Sequence, residues 1–275
     1  MPATKIVISV GTSLLTNNQM AGNMAKHEKA LENELIACHD PKEILKINFI
    51  VNSARLEHIE TKGVNLEGLV PFSTEFLNHY LNDKKVSANI IKRKSGDPAN
   101  QDTLPAEISS LFLYYYDVDG NLRPEFKNRL KSESDFSQKD HVILLTTPTA
   151  DSIYCACILK IMIENLSWFK TKCEVVGTTS IIDDLDARKP ANFKNGLRNL
   201  YDYLESVKGE AAGMGKLIIR TGGFKEVSAE LKLLAISLGF DSFYLFEDST
   251  NAVIVENQNL AFDYMSLLNN FTRVA

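Results

Sequence analysis

The chain has 275 residues, 44% of them hydrophobic and 24% charged, with 35 acidic against 30 basic side chains and a formal net charge of −5. That balance suits a globular domain with a substantial core and argues against a broad basic face for duplex DNA, while a local pocket for a small anion stays open. No opening segment has the form of a secretory signal and no stretch approaches the roughly 20 apolar residues that cross a bilayer, so a cytoplasmic protein is expected.

The first element is the apolar run at residues 6–10, whose lack of alternation is the pattern of a parallel strand buried on both faces. Gly11-Thr12-Ser13-Leu14-Leu15-Thr16-Asn17 follows at once. The chain turns on a glycine and presents hydroxyls and backbone N–H groups at a strand's carboxyl end. Open α/β sheets bind ligands at that edge, and exposed amides there favour anions. Taken alone, the turn also fits a plain strand exit with a helix cap. Residues 23–37 have helical spacing with Asn23 as cap. The segment 40–94 is a poorly assigned insertion: 43–58 fits helix or strand, 72–81 is helical and 86–91 a strand. Residues 105–116 form a helix that opens on a proline, residues 117–121 a turn, and 124–131 a short helix.

From residue 141 the order becomes regular. Strands are expected at 141–146, 173–177, 216–220 and 242–246, alternating with helices at 150–169, 193–207 and 225–238. Residues 252–255 are the return arm of a hairpin through Asp248-Ser249-Thr250-Asn251. This alternation predicts an α/β, Rossmann-like fold: a mostly parallel sheet with helices on both faces and a C-terminal β-hairpin. One domain over residues 1–275 is expected, with no separate effector domain.

A second glycine turn, Thr221-Gly222-Gly223-Phe224-Lys225, follows the strand at 216–220. Paired glycines let backbone approach a ligand closely. Lys225 stands where a helix starts, and a cation beside the positive end of the helix dipole makes sense with an anion between them. The bland alternative is a solvated lysine after a flexible turn. Two further strand exits carry hydroxyls, at Thr147 and Thr149 and at Thr178. Asp151 fits a helix cap and Thr149 a ligand contact.

Other signals fail. There is no G-x-G-x-x-G, no Gly-Lys-Ser/Thr ending and no Gly-x-Ser-x-Gly elbow, so nicotinamide cofactors, P-loop ATP hydrolysis and a serine hydrolase lose support. Asp117-Val118-Asp119-Gly120 has its glycine misplaced for a calcium loop. The five histidines lack metal spacing, and Asp183-Asp184-Leu185-Asp186 fits a solvated loop better than a metal site. The four cysteines, Cys38, Cys155, Cys157 and Cys173, fit buried thiols in a reducing compartment. No metal and no cofactor is expected.

The opening residues 6–17 resemble the first motif of CRISPR-associated Rossmann-fold (CARF) domains. Ile219-Arg220-Thr221-Gly222-Gly223-Phe224-Lys225 resembles their second signature, and residues 106–111 and 144–159 resemble further segments. The resemblance spans about residues 5–262. It implies a homodimer that grips a cyclic oligoadenylate, the second messenger of type III CRISPR defence, across a twofold axis. Gly11, Thr16, Asn17, Thr147, Thr149, Thr178, Thr221, Gly222, Gly223 and Phe224 would line that site, and Lys225, Ser13 and Thr12 would act on the ring. The Arg-x-x-x-x-x-His pattern of the usual ribonuclease partner is missing. A stand-alone receptor of this kind is expected to be a ring nuclease, or alternatively a non-catalytic sensor that signals to a separate partner. Rings of four or six adenylates both suit a twofold site.

Overall fold

The computed structural model describes residues 2–11, 60–61, 64–65, 105–117, 119–131, 136–148, 150–177, 180–186, 190–222, 225–245, 252–255 and 264–270. Among them, in chain order, are β1 (Thr4–Ser9), the two-residue hairpin strands β2 (Glu60–Thr61) and β3 (Val64–Asn65), α1 (Ala106–Tyr115), α2 (Pro124–Lys127) and β4 (Asp140–Thr146). Then come α3 (Ala150–Asn165), α4 (Ser167–Lys170), β5 (Cys173–Val175), β6 (Ser180–Ile181) and α5 (Pro190–Glu210). The last are β7 (Gly215–Ile219), α6 (Lys225–Leu238), β8 (Asp241–Leu245), β9 (Ala252–Val255) and α7 (Tyr264–Asn270). The helices expected at 23–37 and 72–81, the mixed run at 43–58, the strand at 86–91 and the hairpin tip at 248–251 lie outside the described residues.

The fold is Rossmann-like α/β. The sheet runs β5-β4-β1-β7-β8-β9, parallel except for β9, which returns antiparallel on β8 as the expected hairpin arm. β1 lies between β4 and β7, which pair both of its edges, and helices cover both of its faces, so Ile6, Val7 and Ile8 are fully buried. Pleating splits its residues between two layers. Ile6, Ile8 and Val10 join Val142, Leu144, Leu217 and Ile219 against α1 and α3. Val7, Ile143, Leu145 and Ile218 pack on the opposite face against α5, α6 and α7. The α5 contribution, Leu197, Leu200, Leu204 and Val207, has the three-and-four spacing of an amphipathic helix.

Beyond residue 141, three elements differ from their expected bounds by more than one residue. The helix expected at 150–169 ends at Asn165, because Leu166 is extended and caps the short α4. That bend lets both Leu166 and Phe169 enter the core. The strand expected at 173–177 stops at Val175, where Gly177 takes a left-handed φ of 72°; pairing with β4 resumes at Ser180. Helix 193–207 extends to Pro190–Glu210, with proline in the first helical position, where its missing N–H costs nothing.

At the amino end of the sheet one buried polar cluster joins four segments. The Asp140 carboxylate accepts hydrogen bonds from Arg129 Nη2 at 2.6 Å and Nη1 at 3.1 Å, from the Thr4 amide at 2.6 Å and from the Tyr115 hydroxyl at 2.8 Å. Burial pushes the Asp140 carboxyl above its ordinary range, and the Arg129 guanidinium pulls it back. Arg129 is also seated on the Phe136 ring, 4.4 Å from its centroid. The cluster lies at the opposite end of the strands from the glycine turns, and its donors and acceptors are matched.

Candidate functional site

The sheet order carries the first functional information. From β1 the chain steps to β4 and on to β5, whereas β7 and β8 extend the sheet the other way. The direction reverses between β1 and β7. Outside the carboxyl ends of those two strands an open α/β sheet has its ligand crevice. Gly11 lies two residues beyond β1 and Gly222 three beyond β7, so two turns separated by about two hundred residues flank the same switch point.

The two turns meet at a carboxylate. Glu107, in the first turn of α1 and 1% exposed, accepts the Gly11 amide on Oε1 at 2.7 Å. On the other side it abuts Gly222: a Cβ added there would overlap the same Oε1 and the Ser9 carbonyl oxygen. Ser9 Oγ donates to the Gly222 carbonyl at 2.6 Å, tying the end of β1 to the second turn. Gly222 is therefore a glycine because backbone and carboxylate crowd it. The Gly11 amide faces inward, onto Glu107, rather than outward to a ligand.

Neighbouring contacts fix the rest of this edge. The Val10 amide donates to the Leu145 carbonyl at 2.9 Å, and Ser152 Oγ of α3 donates to the Val10 carbonyl at 3.3 Å. Thr221 Oγ1 receives Ser110 Oγ at 2.8 Å and the Leu245 amide at 3.1 Å, so it clamps α1, β7 and β8 together. Thr147, directly beyond β4, is buried. Lys225 is the first residue of α6, as its place after the turn predicts. Of the other expected site residues, Thr12, Ser13, Thr16, Asn17, Thr149, Thr178, Gly223 and Phe224 lie outside the described residues.

Three participants lie inside the segments that carry the resemblance but were not among the expected site residues: Glu107, Ser9 and Arg220. Arg220 follows β7 and stacks its guanidinium 4.7 Å from the Tyr244 ring centroid. The signals in the sequence were modest. Glu107 is the one charged residue in an otherwise apolar and hydroxyl-bearing helix, and Arg220 is a cation at the end of a buried strand. Among the described residues, no group of three or more His, Cys, Asp or Glu is gathered in a way that could hold a metal ion. None of the described helices is long and apolar enough to cross a membrane.

Residues 125–256 match the family model of a CRISPR-associated protein, Cas_APE2256. The match is consistent with the resemblance to CARF domains. It covers just under half of the chain, from α2 past β9, and contains the second glycine turn but not the first. The matched region thus supplies one side of the crevice, and β1 and α1 complete it from outside the match. No curated protein matches the chain.

Proposed function

We propose that this protein binds a cyclic oligoadenylate at the paired carboxyl edges of a homodimer and cleaves it as a ring nuclease. The observation that carries the proposal is the meeting of the β1 and β7 turns at the switch point, in a chain with a CRISPR-associated region. The Glu107–Gly11 and Ser9–Gly222 bonds hold the two turns in register, which is the preorganisation a polyanionic ring requires. Residues 12–17 and 223–225 are the ones assigned to contact the ring in this reading.

In the proposed reaction a ribose 2′-OH attacks its adjacent phosphorus, the P–O5′ bond breaks, and a 2′,3′-cyclic phosphate and a free 5′-OH result. The nucleophile belongs to the substrate, so the protein's work is alignment and charge stabilisation. Lys225 and the amides of Gly222 and Gly223 stabilise the charge that develops on the phosphoryl oxygens. Ser13 and Thr12 orient the ribose and phosphate. Thr147, Thr149, Thr178 and Thr221 support the ring from the neighbouring strand exits.

The test is incubation of the full chain with radiolabelled cyclic tetra- and hexa-adenylate in EDTA. Linear products with 2′,3′-cyclic phosphate ends are expected, and Lys225→Ala should abolish them while binding survives in weakened form. Tight binding of a ring that stays intact would instead mark a receptor that signals to a partner protein. Binding of neither ring would remove the proposal altogether.

A further inference from the structure

Beside the two turns, the geometry presents a cation whose surroundings are incomplete. The Arg220 backbone is held on two sides: its amide donates to the Phe243 carbonyl at 3.1 Å, and its carbonyl receives Ser228 Oγ of α6 at 2.9 Å. Register sets Arg220 beside Tyr244 on the neighbouring strand, and the guanidinium lies against that ring. The side chain is thus fixed in place, yet its Nε is buried with no hydrogen-bond partner among the described residues. The ion pairs formed among the described residues involve Lys5, Arg129 and His141, not Arg220. Partial burial disfavours its charged form, and among the described residues no carboxylate pairs with it.

A guanidinium remains charged under any ordinary condition, so a buried N–H on it without an acceptor is costly. Packing alone would be served by a methionine or leucine on Tyr244. We propose that Arg220, presented on Tyr244, is an anion-binding residue that takes a phosphate group of the ligand. The identity of that phosphate rests on the oligoadenylate reading above; the anion site itself does not. A guanidinium stacked on an aromatic ring is already oriented, and its planar fork matches two phosphate oxygens. Arg220 lies two residues before Gly222, on the β7 side of the switch point, so a ring seated over the turns brings a phosphate within its reach.

Two measurements on the full chain test this. The first is filter binding of radiolabelled cyclic tetra- and hexa-adenylate over a salt series, comparing wild type with Arg220→Met, which keeps the stem on Tyr244 and removes the charge. Affinity should fall roughly tenfold to a hundredfold, the range of a charged hydrogen bond, and the log–log salt slope should flatten by roughly 0.7 for each phosphate that is no longer neutralised. A packing role leaves that slope unchanged. The second follows the Arg220 Nε–H resonance of the wild type, assigned through its own backbone, during titration with the rings and separately with inorganic pyrophosphate. A shift is expected with both. Wild-type affinity and slope in a folded Arg220→Met chain, or an Nε–H that neither rings nor pyrophosphate move, would overturn the inference. Should pyrophosphate move Nε–H while no ring binds, the oligoadenylate reading fails and the anion site stands. If Arg220→Met does not fold, the wild-type titration decides alone.

Discussion

Gly222 is the residue at which the functional and the structural argument come closest. Its neighbours leave no volume for a methyl group, since Glu107 Oε1 and the Ser9 carbonyl already fill the position. Gly222→Ala should therefore destabilise the fold by about 1–3 kcal/mol through overpacking. Urea unfolding monitored by circular dichroism measures this. A midpoint equal to wild type would mean that the turn yields freely and that the crowding described is not a constraint. Glu107 shows why part of the site was illegible in sequence. Its partner Gly11 is 96 positions away, and a glutamate amid apolar residues announces burial without naming what it touches. The glycines and Lys225, by contrast, were visible because strand exits and helix starts are local signals.

Among the elements, the junction of β1, β4 and α1 at the amino end of the sheet depends on one ion pair. Arg129 and Asp140 are 3% and 0% exposed, so removal of one partner leaves a charge with no water to solvate it. Arg129→Met should cost about 3–5 kcal/mol, and adding Asp140→Leu should recover part of that loss, since an apolar pair of similar size can replace a buried ion pair. Thermal unfolding of the single and double variants tests both statements. Equal melting of wild type and Arg129→Met would show that the pair contributes nothing. The shortening of the helix expected at 124–131 has its reason here. The chain leaves the helix after Lys127, and the Arg129 carbonyl receives the Ser137 amide as the side chain enters the cluster. Helical spacing alone contains no trace of that destination.

For the whole molecule, the two core layers make a prediction about alkaline pH. Burial pushes the Cys173 thiol from 9.0 up to about 12, and it raises the Tyr115 and Tyr264 hydroxyls as well. Cys173 and Tyr115 belong to the α1–α3 layer and Tyr264 to the α5–α7 layer. The unfolded chain releases these protons at the ordinary values while the folded chain retains them. Stability from this source is thus fully present below about pH 9 and drains away as pH climbs toward the folded values. The urea midpoint should fall steadily above pH 9, and Cys173→Ala should make that fall shallower. A midpoint that holds constant through pH 11 would contradict the burial of these groups.

The sequence by itself determined the class of fold, the alternation of strands and helices after residue 141, and the glycine turns with Lys225 at the start of a helix. Those features follow from hydrophobic period and backbone freedom, which act over a few residues. Only the tertiary structure decided that β1 lies between β4 and β7, and hence that the turns at Gly11 and Gly222 share one crevice. It also brought Glu107 between them and laid Arg220 on Tyr244. Such pairings arise from strand order and sheet register, which depend on contacts across the whole chain and leave no periodic mark in any short stretch of it.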